Sequence, residues 1–477
     1  MMQLFILLLP VLLPACAGLY ILLRRPGQCG RMAYLAALLC CLTIYPAVRS
    51  GTGEGVRIEI TYFLSLILRA DRLGIFFMVL IAAAFFLALV YACEYLGRDK
   101  RQHIFFGFTL MTLGAMMGLC LAGNLITFYM FFELMSLLSF PLVLYNGGEE
   151  ASLAAMKYLG FSVFGASLVL MGMILGGGLP IHAFGRVGQM ALDTRQLWAF
   201  LLIAMGFSCK AGMMPMANWL PTAHPVAPAP ASALLSGIIT KAGILGMMRA
   251  AFYVFGGRNL AGTFPQTVLL VLSIATIFAG SMLAYKEKQL KKRLAYSSVS
   301  QLSYVIFGMM MCTPAGVCGA LLQVVFHACA KIGLFLCAGA FIHHCDVYDV
   351  DGLLGMGRRM PRVMAAFTCF ALSLIGIPPF GGFAAKWQLA EAALEQGSAA
   401  AQTGLVVLMV SALLTAGYLL PIVARGYFPG EGFKAKVTDG GPAMVLPMVV
   451  LAGAAALLGI FPAGLASFFR TVASAMF

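Results

Sequence analysis

The chain carries little charge for its length. Of its 477 residues only 10% are charged and 62% are hydrophobic, and the mean hydropathy is +0.96. So few charged side chains cannot cover the surface of a soluble domain. The composition therefore excludes a soluble protein and indicates one that crosses a lipid bilayer many times.

Redox and metal-binding motifs are also missing from the sequence. The 13 cysteines contain no C-x-x-C pair, and no G-x-G-x-x-G follows a strand. An iron–sulfur cluster, a zinc site and a dinucleotide site are therefore not expected. We predict no cofactor and no metal in this chain. Whether it serves an enzyme stays open, because any electron transfer would have to take place outside this chain.

Apolar runs of about 20 residues, the length of a membrane-crossing helix, recur along the whole chain. They predict an all-α polytopic membrane protein with about fourteen transmembrane helices. The runs lie near residues 2–23, 31–48, 73–96, 103–122, 123–144, 152–177, 196–217, 229–250, 264–285, 294–313, 314–342, 363–396, 403–424 and 443–469. Between the second and third runs, the segment from Tyr62 to Leu68 fits either a short hairpin or an interfacial helix.

The net charge of +14 follows a membrane topology and does not indicate nucleic acid. If the connections after the first, third, ninth, eleventh and thirteenth runs are cytoplasmic, 17 of the 31 basic residues lie on that side and nine on the other. The positive-inside rule then places both termini on the outer side of the inner (cytoplasmic) membrane.

Five lysines lie inside the apolar runs: Lys157, Lys210, Lys241, Lys331 and Lys386. A lysine there costs several kcal/mol unless it is paired or hydrated, so such residues mark ion and proton paths. The lysine at 157 sits near the cytoplasmic end of its run, where snorkelling to the headgroups is the alternative. The others predict a polar route.

Glu133 is the only acidic residue deep in an apolar run. It is expected to be protonated or paired, and Lys210 is the expected partner. The alternative is a neutral, hydrogen-bonded glutamate that stabilises helix packing.

His327 and Lys331 are four residues apart and therefore share one helical face. This spacing favours a proton relay over a packing role for the histidine. A metal site is disfavoured because no second histidine or carboxylate shares that face.

Two of the apolar runs are interrupted by proline beside a lysine. Pro215 follows Lys210, and Pro378 and Pro379 precede Lys386. Broken helices at membrane depth are tolerated where protein buries them or a wet cavity lines them. Two such helices five runs apart predict inverted repeats.

Five segments carry a family resemblance: FFELMSLLSFPLVLY, KAGMMPMANWLPTAHPVAPAPASALLSGIITKAGILGMMR, AYSSVSQLSYVIFGMMM, FHACAKIGLFLCAGA and IGIPPFGGFAAKW. They resemble, in the same order, the antiporter-like membrane subunits of respiratory complex I, membrane-bound hydrogenases and Mrp cation/proton antiporters. The resemblance spans roughly residues 105–395.

The resemblance implies fourteen helices in four parts: three N-terminal helices in 1–102, a first five-helix repeat in 103–250, a second, inverted repeat in 251–427, and a last helix in 428–477. Helices 7 and 12 would be broken. By position it implies a fifth-helix glutamate at Glu133, its lysine partner at Lys210, the central eighth-helix lysine at Lys241, the eleventh-helix relay at His327 and Lys331, and the outward-leading twelfth-helix residue at Lys386.

Within the family, the segment HPVAPAPASALLSG and the lysine at position 386 are similar to the Mrp and hydrogenase branch. Because the chain stops at Phe477, just after the last apolar run, we expect one of the shorter subunits, closest to the D type of the Mrp antiporters. Ala223 stands where many relatives carry aspartate, so no carboxylate is expected at that mouth of the path.

These observations predict a subunit of a multisubunit complex, NADH:quinone oxidoreductase-like, hydrogenase or Mrp antiporter, that moves protons along a hydrated Glu/Lys/His path. Its expected partners are other membrane subunits and the lipid bilayer. One alternative is exchange of Na⁺ or K⁺ for protons along the same path. Another is a structural scaffold whose path is vestigial, although a scaffold gains nothing from the cost of burying lysines.

Overall fold

The computed structural model describes residues 2–51, 55–61, 64–97, 99–177, 183–185, 187–430 and 436–477. Helices dominate it, which confirms the predicted helical membrane class. In the described part of the chain, 12 helices are long and apolar enough to cross a membrane. They coincide with twelve of the predicted runs.

The other two predicted runs correspond to different kinds of helix. The run 294–313 falls on a helix whose basic and hydroxyl side chains lower its hydropathy, Leu290–Met310. The run 363–396 is divided between Pro361–Ile375 and Gly381–Gln396, each short for a full crossing. The count of fourteen crossings and the inverted repeats stay predictions.

The first elements in chain order are α1 (Met2–Arg24), α2 (Cys29–Gly51), β1 (Val56–Thr61), β2 (Leu64–Leu68), α3 (Arg72–Tyr95), α4 (Gln102–Leu121), α5 (Leu125–Leu144), α6 (Gly148–Leu175) and α7 (Thr194–Ala211). A 3₁₀ turn (Met216–Trp219) leads to α8 (Leu220–Val226), α9 (Ala229–Leu234), a π-helical segment (Leu235–Ile239), α10 (Thr240–Met248), a second π-helical segment (Arg249–Phe255) and α11 (Gly257–Leu260).

The remaining elements are α12 (Phe264–Lys286), α13 (Leu290–Met310), α14 (Pro314–Cys345), a 3₁₀ turn (Val350–Leu353), α15 (Met356–Arg359), α16 (Pro361–Ile375), α17 (Gly381–Gln396), α18 (Ala399–Tyr427), α19 (Pro442–Ile460) and α20 (Pro462–Ser474). The chain divides into two compact units. Unit 1 comprises residues 1–210, 241–265 and 475–477, and unit 2 comprises residues 211–240 and 266–474.

The segment before α3 folds as an antiparallel hairpin, β1 with β2, which decides the alternative that the sequence left open. Residues 62 and 63 lie outside the described part. The hairpin is fixed to α5 by side chains at the start of that helix. Asn124 caps α5 and its amide donates to the Ser65 carbonyl at 2.8 Å, while the Thr127 hydroxyl accepts from the backbone N–H of Ile67 at 2.9 Å.

In unit 1 the buried Arg249 forms an ion pair with Asp71, which is 15% exposed. Asp71 caps α3 by accepting from the Gly74 N–H at 2.8 Å, and Arg249 Nη2 donates to Asp71 Oδ1 at 2.7 Å. The guanidinium also lies 4.9 Å from the Tyr253 ring centroid. Burial alone would raise the pKa of Asp71, but the charge and hydrogen bonds of Arg249 hold it below its usual range.

In unit 2, α14 is the central helix. Most of its 32 residues are apolar and they occur on every side of the helix, which packs against α9, α13, α16, α17, α19 and α20. A helix that is hydrophobic all round must be buried within protein or lipid. Here protein surrounds most of it, so polar side chains on α14 face other helices.

The helices of this unit are broken where the sequence has its double proline. α16 ends at Ile375, Gly376 adopts a left-handed φ of +91°, and α17 begins at Gly381. A Cβ at Gly381 would overlap the ring of Phe326 on α14. Glycine is therefore required here because α17 starts against α14. The second break follows α7, which ends at Ala211 before the 3₁₀ turn.

The ion pair yields a prediction about stability. Asp71→Asn leaves Arg249 buried without its counter-charge, and breaking a buried pair costs about 3–5 kcal/mol. We expect the detergent-solubilised variant to lose its monodisperse peak at a temperature several degrees below that of the natural protein. The measurement is fluorescence-detected size exclusion after heating. Glu59→Gln is the control, because its pair with Arg57 is exposed and should contribute at most about 1 kcal/mol. Equal melting of both variants would contradict the prediction.

Candidate functional site

Five lysine side chains in the described residues are buried, each at most 7% exposed: Lys210, Lys241, Lys291, Lys331 and Lys386. Four of them are sequence-predicted path residues. Lys157 is different, because it lies on the exposed face of α6 beside exposed Leu153 and Met156. Its role in a proton path stays a prediction.

Lys210 of unit 1 is solvated by hydroxyl groups. Its ammonium donates to the Tyr158 hydroxyl and to Ser162 Oγ, both at 2.8 Å, and lies 4.1 Å from the Tyr158 ring centroid. Tyr158 in turn is hydrogen-bonded to Ser139 at 2.5 Å. A chain of hydroxyls thus leads from α5 through α6 to the lysine at the end of α7.

Glu133 lies on α5 and is half-buried. Among the described residues, its Oε1 is buried and has no hydrogen-bond partner. Such an atom is normally satisfied by water or by a protonatable group. The pairing of Glu133 with Lys210 and their action as a switch stay predictions.

Lys241 is fully buried in a stretch of the chain that is itself buried throughout, Ala229–Phe255. It lies in the first turn of α10, just after the π-helical segment Leu235–Ile239. Short π-helical segments within α-helices are frequent at functional sites. The backbone irregularity is thus next to a predicted path lysine.

Lys331 and His327 occupy the same face of α14 in unit 2, as predicted from their spacing. The ammonium of Lys331 donates to the Leu294 carbonyl at 2.9 Å and to Ser297 Oγ at 2.7 Å. His327 is 1% exposed. The lysine is therefore solvated by neutral oxygens of α13.

Lys386, in the first turns of α17, binds the end of α16. Its ammonium donates to the carbonyls of Leu374 and Ile375 at 2.9 and 2.7 Å. These are the last two residues of α16, whose carbonyls the helix leaves unpaired and at its negative end. The helix break thus supplies the ligands of the lysine.

His327 and Lys386 line one narrow gap that has no room for a water molecule, together with Gln301, Gln323 and Ser373. Gln323 donates to Gln301 at 2.8 Å. Within the described part of the chain, the other amide atom of each glutamine and the Ser373 hydroxyl are buried and have no hydrogen-bond partner. This space therefore joins the predicted relay histidine to the predicted outward-leading lysine through polar groups.

Sequence reasoning missed Lys291 and His224. Lys291 Nζ donates to the carbonyls of Pro225 and Ala227 at 3.2 and 2.5 Å, where α8 ends. His224 is fully buried and stacks on Phe335 with 4.7 Å between ring centroids. Neither of its ring nitrogens has a hydrogen-bond partner among the residues that the structure describes. The lysine stands in a run of basic residues that the sequence presents as a solvated loop.

The polar groups around Lys210 left a weak signal that could have been used. Tyr158 and Ser162 are four residues apart on α6 and therefore share one face. A pair of buried hydroxyls at that spacing, next to a lysine-bearing helix, fits a solvation shell.

Comparison with known proteins decides the family. The family model described as "NADH:quinone oxidoreductase/Mrp antiporter, TM" matches residues 122–415, a segment that contains every predicted site residue. The chain belongs to this family. The predicted resemblance is therefore confirmed.

Relatives in the family come from more than one kind of complex. The NADH-quinone oxidoreductase subunit N of Desulforudis audaxviator is 33% identical over 406 residues, covering 80% of each chain. The D subunit of the Na(+)/H(+) antiporter of Alkalihalophilus pseudofirmus is 26% identical over 399 residues, covering 81% of this chain and 80% of that one. This family member is thus similar to both.

The fold of the family member is shared with a solved structure. A chain in the Mrp complex from Dietzia sp. DQ12-45-1b matches with a TM-score of 0.85 at 22% identity, covering 98% of this chain and 96% of that one. The likeness confirms the predicted fold class.

The position of Lys291 gives a testable expectation for this family member. In the purified protein, an amine-reactive acetylating reagent should modify Lys286 and Lys288, which are exposed, and leave Lys291 unmodified because it is buried on two carbonyls. Peptide mass spectrometry measures the three occupancies. Denaturation before labelling is the control and should equalise them. Equal modification of the folded protein would refute the buried position.

Proposed function

We propose that this family member translocates protons as an antiporter-like subunit of a multisubunit complex in the inner membrane, with both termini on the outer side. The observation that carries the proposal is the set of buried lysines held by neutral oxygens. Lys210 is held by two hydroxyls, Lys331 by a hydroxyl and a carbonyl, and Lys386 by two carbonyls.

Neutral ligands suit a group that must gain and lose a proton. A carboxylate in direct contact holds a lysine in its charged form, whereas hydroxyls and carbonyls stabilise the ammonium less. Buried lysine changes its protonation state readily, and arginine stays charged. The ligand sets therefore favour proton transfer over a fixed structural charge.

Glu133 would act as the control element for Lys210. Its charge reaches the lysine electrostatically, while the hydrogen bonds of the lysine go to Tyr158 and Ser162. When the carboxylate is ionised, the ammonium is favoured, and neutralisation of the carboxylate releases the proton. The pair would thereby couple a charge change at α5 to proton movement from α7.

The relatives support membership in a larger assembly. One is a subunit of an NADH-quinone oxidoreductase and another a subunit of a Na(+)/H(+) antiporter. Other membrane subunits are therefore the proposed partners. Any electron donor or acceptor would bind to those partners.

Substitution of the buried lysines tests the proposal. Lys210→Ala and Lys386→Ala should each lower proton uptake into energised everted vesicles by about tenfold or more, because a path residue is lost. Lys210→Arg should also lose uptake, since arginine does not release a proton. Uptake is followed by acridine-orange quenching and normalised to the amount of assembled complex.

Lys288→Ala is the matched control, because Lys288 is exposed and its loss should leave uptake unchanged. Full uptake in all three path variants would overturn the proposal and favour a scaffold with a vestigial path.

Cation exchange is the second candidate, favoured by the similarity to a Na(+)/H(+) antiporter chain and to the Mrp complex chain. In vesicles already acidified by respiration, addition of NaCl or KCl should then collapse the pH gradient within seconds, and Lys386→Ala should remove that response. Choline chloride controls for ionic strength. A gradient insensitive to both cations would exclude this candidate and leave proton translocation standing.

A further inference from the structure

Three hydroxyl groups of α18 lie in a buried row that the predicted path does not use. Ser411, Thr415 and Tyr418 are at most 1% exposed and share one helical face, while Val406 and Leu413 on the same helix are exposed. A hydroxyl buried in apolar surroundings costs free energy unless it is hydrogen-bonded. The partners of this row therefore show what it connects.

One end of the row reaches Lys331. Ser297 Oγ accepts from the Lys331 ammonium at 2.7 Å and from the Tyr418 hydroxyl at 2.7 Å. Tyr418 also contacts Thr415 Oγ1 at 3.3 Å. Three hydroxyls thus continue from the lysine of α14 onto α18.

The other end of the row is hydrogen-bonded to Tyr304, whose ring lies near Lys386. The Tyr304 hydroxyl donates to Ser411 Oγ at 2.7 Å, and Ser411 is also hydrogen-bonded to Ser281 at 2.5 Å. The Lys386 ammonium lies 5.5 Å from the Tyr304 ring centroid. The aromatic ring of Tyr304 thus lies near the lysine of α17, whose hydrogen bonds go to the Leu374 and Ile375 carbonyls.

The part of the row near Lys331 and the part near Tyr304 adjoin each other on α18, between Thr415 and Ser411. Thr415 Oγ1 donates to the Ser411 carbonyl at 2.7 Å, so the two hydroxyls stand one helical turn apart. Rotation of the Thr415 side chain or one bridging water spans such a gap. A hydrogen bond to the backbone of its own helix accounts for the buried hydroxyl of Thr415. It does not account for Ser411 and Tyr418, because these are hydrogen-bonded to side chains of other helices.

We propose that Ser297, Tyr418, Thr415, Ser411 and Tyr304 form a second proton route between Lys331 and Lys386, parallel to the one through His327. This inference rests on the proposed function. In each step a proton binds to a hydroxyl oxygen while that hydroxyl passes its own proton on. One bond to hydrogen forms and one breaks, so every hydroxyl ends unchanged and no co-reactant is needed.

Parallel routes predict that the tyrosines matter most when the histidine is absent. The test places Tyr418→Phe and Tyr304→Phe in two backgrounds, the natural chain and His327→Ala, within the complete complex. Initial proton uptake is measured in everted vesicles energised by NADH, or by H₂ where NADH gives none. Tyr427→Phe is the matched control, because that tyrosine ends α18 and is 37% exposed.

We expect each route tyrosine variant to lower uptake about twofold in the natural chain and about tenfold further in the His327→Ala background, the size of effect seen for coupled sites. Ser411→Ala should behave likewise and Ser411→Thr should retain uptake, because threonine keeps the hydroxyl. Co-purification of partner subunits verifies that each variant assembles. The ratio of proton uptake rates in H₂O and D₂O should change only in the route variants.

Three results would overturn the route: complete loss of uptake in His327→Ala alone, the same fractional loss from Tyr418→Phe in both backgrounds, or no loss in either. Lys331→Ala separates this failure from that of the proposed function. If Lys331→Ala abolishes uptake while the tyrosine variants do not lower it, only the route is wrong. If Lys331→Ala leaves uptake intact, the proton path itself is wrong.

Discussion

The cost of taking lysine ammonium groups out of water is the constraint on which the arrangement depends. A lysine ammonium among apolar side chains is stabilised when its N–H donors find acceptors. The structure supplies them from two sources, hydroxyl side chains and the carbonyls at helix ends. Lys210 uses the first, and Lys291 and Lys386 use the second.

Helix breaks therefore have a chemical role as well as a geometric one. A helix that stops inside protein leaves carbonyls unpaired, and at the ends of α8 and α16 a lysine occupies them. The break between α16 and α17 is possible because the glycine at its far side packs directly against α14. In this part of the chain the close packing of α17 against α14 permits the helix break, and the helix break supplies the carbonyls that bind the buried lysine.

Features that depend on the hydrophobic pattern could be predicted from the sequence. Features that depend on which side chains meet in the folded structure could not. Span positions followed from apolar runs, and the burial of Lys331 and Lys386 followed from their place within those runs. Lys291 lies in the same basic segment as the exposed Lys286 and Lys288, so its burial is seen only in the folded structure. The exposed side of α6 that carries Lys157 depends on which face packs inward, and the weak amphipathic pattern of that helix does not specify it.

Proton transport by this chain requires the buried lysines to change protonation state. ¹⁵N solid-state NMR of lysine Nζ, in membranes that hold the complete complex, measures this directly in resting and energised samples. We expect signals assigned to Lys210, Lys331 and Lys386 by single substitutions to shift between ammonium and amine on energisation, while Lys288 stays unchanged. Ammonium signals that persist unaltered through active transport would contradict it.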